Sequence, residues 1–190
     1  MMKTESTAKY VAIIAGKLLI ITVAVALALA FVNSITAPII QQQKIDNLQN
    51  AIQEVLPGGG EQMEWLTFVD NISNAYHGEN GYAVEVTPAG FGGTITMMVG
   101  VSEEGQVLGI RIVSQTETAG LGAVAAANTS AGEAFRSQFA GLSGDIAVTK
   151  DGGQVDAITG ATITSRAVCT GVQSALDFVA EQQRIADQKG

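Results

Sequence analysis

The residues with the types and spacing to do chemistry gather between Asp156 and Ser165, in the run Asp-Ala-Ile-Thr-Gly-Ala-Thr-Ile-Thr-Ser. Four hydroxyls, from Thr159, Thr162, Thr164 and Ser165, fall within seven positions, with Gly160 and Ala161 among them. The run precedes an amphipathic segment with helical spacing. The first amides of a helix are unpaired and point outward, and the helix dipole favours an anion there. Small residues at 160 and 161 would let a phosphate approach the backbone. Plain N-capping by Thr162 or Thr164 explains the same hydroxyls without a ligand, and on spacing alone it is the simpler account.

Few other tools are available. The 190 residues include one cysteine, Cys169, and one histidine, His77. One cysteine excludes an internal disulfide framework, a CxxC redox pair and an iron–sulfur cluster held by this chain. One histidine makes a self-contained His-rich zinc site implausible. A Ser–His–Asp triad would have to rest on His77, in a polar, turn-like stretch beside Gly78. Cys169 is expected to be a small buried apolar residue, Met97 and Met98 to fill a core, and His77 to face solvent from a loop. The net charge of −8 argues against a nucleic-acid surface. With neither catalytic nor metal residues to name, any redox chemistry would require a cofactor.

The elements that would position this run divide into grease and acid. Leu18 to Val32 is fifteen residues without a charge. As a helix, Tyr10 to Val32 spans about 34 Å, enough for a hydrocarbon core of about 30 Å. Lys17 can snorkel, or the span can run from Lys17 to Ala37; Pro38 is a stop signal for either register. Ala28-Leu29-Ala30 resembles a signal-peptide cleavage site, but a retained anchor is the favoured reading. Residues 1–33 carry a net charge of +2 and residues 34–190 a net charge of −10. The positive-inside rule then puts the N-terminus in the cytoplasm and the acidic part outside.

After Pro38, Ile45, Leu48, Ile52 and Val55 mark one face of a stalk helix, ended by Pro57-Gly58-Gly59-Gly60. Strands are expected at Trp65–Val69, Gly81–Thr87, Thr94–Val101 and Val107–Val113. Asn74 to Asn80, Pro88-Ala89-Gly90 and Glu103-Glu104-Gly105 separate them. Ala123–Phe139 reads as a helix broken near Asn128–Ala131, and Ile146–Thr149 as a short strand. Thr164–Ala186 reads as a long amphipathic helix, with Val168, Val172, Leu176 and Val179 on its buried face. The class is α+β: one N-terminal transmembrane helix, then one domain of mainly antiparallel strands with flanking helices.

Two motifs together carry a resemblance. Asp156-Ala157-Ile158-Thr159-Gly160-Ala161-Thr162 resembles the Asp-x-x-Ser/Thr-Gly-Ala-Ser/Thr motif of FMN-binding domains, in which a flavin transferase esterifies the last hydroxyl with FMN phosphate. Gln115-Thr116-Glu117-Thr118-Ala119-Gly120-Leu121-Gly122 is similar to their His-x-Glu-Thr-Pro-Gly-Leu-Gly element. It departs from it at Gln115 and Ala119, so no histidine is available there and the loop is less rigid. Gly90-Phe91-Gly92-Gly93-Thr94-Ile95, Leu56-Pro57-Gly58 and Ile35-Thr36-Ala37-Pro38-Ile39 match as well. The family resembled is that of the G subunit of Rnf electron-transport complexes, related to the C subunit of the sodium-pumping NADH–quinone reductase.

The resemblance implies covalent FMN on Thr162, with Thr159, Gly160, Ala161 and Asp156 in the motif. Asp156 would serve recognition or the transferase's metal, or simply cap a turn. Glu117, Thr118, Gly120, Leu121 and Gly122 would form the loop against the flavin. It further implies an electron-carrier subunit of an ion-translocating ferredoxin:NAD oxidoreductase, which by itself catalyses no complete reaction. Its partners would be the membrane, the other membrane subunits and, during maturation, the flavin transferase, with no nucleic acid. The expected layout is a cytoplasmic N-terminus at 1–9, a transmembrane region at 10–37, a stalk helix and Gly-rich linker at 38–60, and an extracytoplasmic FMN-binding domain at 61–190. A standalone extracytoplasmic flavoprotein reductase and a non-flavin binding module are the rival readings.

Overall fold

The structure, a computed structural model, describes residues 4–64 and 70–188. The strand expected at 65–69 lies outside the described residues. The chain divides into two compact units, Met1–Asp46 and Asn47–Gly190.

Helix α1, Thr4–Val55, makes up the first unit and contributes its last turns to the second. Apolar side chains from Tyr10 to Phe31 are exposed all round it. Among the described residues this is the one helix long and apolar enough to cross a membrane. Pro38 does not end it. Proline removes a single amide, leaving the Ser34 carbonyl without its usual partner. Burial further along sustains the helix: Ala51, Ile52 and Val55 are buried, with Leu48 packed beside them. Ile45, placed on the same face by its spacing, is exposed. Pro57 and the positive-φ pair Gly58 and Gly59 then turn the chain.

The second unit is built on an antiparallel meander of β1 (Glu61–Gln62), β2 (Ile72–Gly78), β3 (Gly81–Val86), β4 (Thr96–Val101) and β5 (Val107–Ser114), in that spatial order. Side chains alternate between its two faces, as the period of two demands. Tyr82, Val84, Val86, Met97, Val99, Val101, Ile110 and Ile112 join the main core under the last helix. Ala83 and Met98 point the other way, onto Ala51, Ile52, Val55 and Leu56 at the end of α1. Gly100 permits that contact, because a Cβ there would strike the Val55 carbonyl.

Strand β2 corrects the expectation of a separator at Asn74–Asn80. Its residues are mostly polar and half exposed, so apolar alternation is missing. Its pairing with β3, through Tyr76↔Ala83 and His77↔Tyr82, makes it a strand nonetheless. His77 therefore lies on a strand rather than a loop. It stacks on Tyr82 with ring centroids 4.4 Å apart, and its Nε2 lies 2.9 Å from Glu103 Oε1. The turn at 103–105 is as expected: Gly105 has φ +75°, and Ser102 Oγ accepts the amides of Glu104 and Gln106.

After the sheet come a 3-10 turn at Gly122–Ala126 and helix α2, Ser130–Ser137. The helix break expected near 128–131 is present, and Thr129 caps α2 by accepting the Gly132 amide. Phe135 and Phe139, edge-to-face at 5.5 Å, anchor α2 in the core. The expected strand at 146–149 is reduced to one parallel bridge, Val148↔Val155, beside a 3-10 turn at Thr149–Asp151. Helix α3, Thr162–Asp187, closes the domain and buries Val168, Val172, Leu176 and Val179. The α+β expectation holds.

Candidate functional site

The hydroxyl-rich run meets α3 at its first residue. The N-cap is Ala161, with no side-chain capping bond, so neither Thr162 nor Thr164 caps the helix. The other hydroxyls are engaged elsewhere. Thr164 Oγ1, in a buried residue, donates to Glu117 Oε2. Ser165 Oγ, also buried, donates to the Ala161 carbonyl and accepts the Ile158 amide, each at 3.0 Å. Thr162 is half-buried, and its hydroxyl makes no hydrogen bond among the described residues. The amides of Thr162, Ile163 and Thr164 likewise find no backbone partner there, whereas the next one, Ser165, donates to the Ala161 carbonyl.

Glu117 ties three segments together. Its Oε1 accepts the Gly92 amide at 2.7 Å while Oε2 takes the Thr164 hydroxyl. Glu117 is 8% exposed, and these two donors compensate the burial of its carboxylate. Gly122 has no room for a side chain, since a Cβ there would lie 2.6 Å from Glu117 Oε2. Gln115, at the position where the family motif has histidine, accepts the Glu117 amide through Oε1 and so braces the loop.

These elements enclose a cleft of about 390 Å³, within the usual range of about 300–1,000 Å³ for small-molecule sites. One wall is Glu117, Thr118, Leu121 and Gly122; the other is residues 160–164. Gly160, at φ +77°, turns the second wall toward Leu121. Phe91 and Lys150 complete the lining. Phe91 stands on the tight loop between β3 and β4, which is held by Gly90 N–H to Gly93 O and Ile95 N–H to Pro88 O. Among the described residues, three of the four large apolar side chains exposed outside α1, namely Phe91, Leu121 and Ile163, lie at this cleft.

The charges at the helix start are sorted. Asp151 is held by a two-pronged ion pair with Arg166 at 2.6 and 2.7 Å, and that hydrogen bonding keeps its carboxyl below its ordinary range. The neighbouring Lys150 ammonium makes no hydrogen bond or ion pair among the described residues. Cys169, seven residues along α3, is buried, and that burial pushes its thiol up to about 11, which keeps it protonated at neutral pH.

Of the expected site residues, the structure brings together Glu117, Thr118, Leu121, Gly122, Gly160, Ala161 and Thr162. Gly120 sits in their loop at φ +76° without lining the cleft. Asp156 and Thr159 face a different groove, against α2. Lys150 is a cleft residue that lies outside the motifs, and Phe91 stands in the matching segment 90–95, for which the sequence names no site role. The signal for Lys150 is its place beside the Gly-rich loop before the motif; for Phe91 it is an aromatic flanked by glycines.

The description "FMN-binding domain" fits residues 90–177, from the Phe91 loop through most of α3. The G subunit of a proton-translocating ferredoxin:NAD(+) oxidoreductase complex from Clostridium ljungdahlii is 34% identical over 80% of this chain and 82% of its own length. The chain belongs to the G-subunit family of ion-translocating oxidoreductase complexes. The family's member from Vibrio cholerae is 32% identical over 82% of this chain and 83% of its own length. The one from Methanosarcina acetivorans is 36% identical over 68% of this chain and 65% of its own length. As a G subunit with an FMN-binding domain, the chain presents a cleft whose lining suits the cofactor. Unpaired amides and a lysine are groups that can receive a phosphate, and exposed apolar side chains are groups that can cover a ring.

Proposed function

We propose that this chain is the membrane-anchored electron-carrier subunit of an Rnf-type ferredoxin:NAD oxidoreductase complex, with FMN joined through its phosphate to Thr162. The observation that carries the attachment is the fate of the hydroxyls. Thr164 and Ser165 are buried and bonded, Thr159 faces away, and of the two threonines that line the cleft, Thr162 and Thr164, only Thr162 has a hydroxyl without a hydrogen bond among the described residues. Esterification turns a phosphate monoester into a diester with about one negative charge. That charge would rest on the amides of Thr162, Ile163 and Thr164, with Lys150 close by. Phe91, Leu121 and Ile163 would shield the ring from water.

Bound FMN supplies the redox chemistry, and the protein supplies position, exclusion of solvent and electrostatic tuning. The covalent link keeps the cofactor from being lost to the medium. Asp156 and Thr159, on the outer side of the motif, would serve recognition by the flavin transferase. Helix α1 would anchor the chain in the cell membrane with its N-terminus cytoplasmic and the acidic domain outside, following the charge asymmetry. The partners would be the other membrane subunits of the complex.

The test is co-expression with a flavin transferase, denaturation, and in-gel flavin fluorescence. Thr162→Ala is expected to abolish the signal, and Thr164→Val to retain it. Full fluorescence in Thr162→Ala would remove the assignment.

A further inference from the structure

The two walls of the cleft come from separate loops, and both are tied from behind to one short helix. Arg136, near the end of α2, is only 9% exposed. Its Nη1 donates to the carbonyls of Ala125 at 2.7 Å and Ala127 at 3.0 Å, at the end of the 3-10 turn that begins at Gly122. Gly132 lets this turn approach α2, since a Cβ there would strike the Ala127 and Val124 carbonyls. Gln138, just past the helix end, grips the backbone of the other wall. Its Oε1 accepts the Asp156 amide at 2.7 Å, and its Nε2 donates to the Asp156 carbonyl at 3.2 Å.

We propose that α2 sets the width of the flavin cleft, with Arg136 positioning the Leu121–Gly122 wall and Gln138 positioning the wall that leads to Thr162. The proposal rests on the reading that FMN is held at Thr162. Phe135 and Phe139 fix α2 to the core, so the helix is a rigid reference for both loops. Ala157 and Ile158 pack, partly buried, against the core, and the Gln138 contact adds a polar tie to the Asp156 backbone just before them. A groove of about 610 Å³ separates α2 from residues 156–159. Across it, the amide pair of Gln138 is the polar tie among the described residues. Val155, paired to Val148, holds the segment before it, and Ile158, bonded to Ser165, holds the segment after it. Asp156 lies between these points. Neither Arg136 nor Gln138 lines the flavin cleft, so both act as positioning residues.

The test uses the full-length flavinylated protein in detergent, with iodide quenching of the flavin fluorescence as the readout. Gln138→Met keeps the apolar stem and removes both hydrogen bonds. Each net bond corresponds to a few-fold change in an opening equilibrium, so the quenching constant is expected to rise about twofold to fivefold. Gln138→Glu keeps the acceptor for the Asp156 amide but cannot donate, and should fall between the two. Arg136→Met is expected to raise quenching and Arg136→Lys to restore part of the protection. Melting curves on the same samples identify any variant that has lost its fold; for Gln138→Met the melting curve is expected to stay close to wild type. Flavin on Thr162 with unchanged quenching in folded Gln138→Met overturns the role of α2. Peptide mass mapping that places the wild-type flavin on another residue overturns the reading of the site, and the role of α2 with it.

Discussion

Thr162 and Thr164 are two residues apart and chemically identical, yet their surroundings assign them different work. Thr164 points into the protein and spends its hydroxyl on the Glu117 carboxylate. Thr162, on the first turn of α3, lines the cleft with its hydroxyl unspent. Spacing alone could not separate these roles, because either residue is well placed to cap a helix. The distinction depends on Glu117, 47 positions from Thr164 in the chain. Thr164→Val, which leaves the carboxylate short of a donor, is expected to destabilise the domain by about 1–3 kcal/mol. Chemical unfolding of the full chain measures this, and the variant should still accept flavin. Cys169 makes a second residue-scale prediction. Its thiol lies above the ordinary value of 9.0, so the folded state holds the proton more tightly than the unfolded state. The resulting stability is present in full below pH 9 and declines as pH rises toward 11. Cys169→Ala should flatten this alkaline decline in melting temperature. Alkylation at pH 8 should label the wild-type thiol only after unfolding.

At the scale of elements, the strands and helices with strong apolar periodicity were legible. β3, β4, β5 and α3 all stand where alternating or helical spacing put them. What escaped was structure held by pairing or by distant burial. β2 has few buried side chains and exists because β3 offers it a backbone ladder. α1 passes Pro38 because later turns are buried against the sheet. The cleft was half legible in the same sense. The 156–165 run could be named from its residue types and the 115–122 element from its resemblance to a family motif, but the convergence of Phe91 and Lys150 on them depends on the fold. Gly100 tests the packing of β4 on the end of α1. Gly100→Ala is expected to cost about 1–3 kcal/mol through overpacking, because the atom it meets is a backbone carbonyl. A matched loss in denaturant midpoint without a changed slope would verify it.

On the scale of the whole molecule, the charge of −8 conceals an apolar, slightly basic segment and a strongly acidic domain. That division parallels the two compact units, the first apolar helix and the folded domain. An exposed apolar helix of this length is costly in water and favourable in lipid. The full chain should therefore remain in the membrane fraction after washing at high pH and high salt. Release into the supernatant would contradict an anchor. The sparse chemical inventory also makes sense at this scale. With its redox group tethered at one threonine, as proposed, the carrier would need no catalytic cysteine or histidine of its own.

Flavin attachment at Thr162 is tested most directly by mass mapping of the native, membrane-extracted protein. Cleavage after Lys150 and Arg166 yields residues 151–166, one peptide containing all four candidate hydroxyls. This peptide is expected to carry one FMN phosphoester, localised by fragmentation to Thr162. A native protein whose Thr162 is unmodified, or whose flavin sits on Thr159, Thr164 or Ser165, would contradict it.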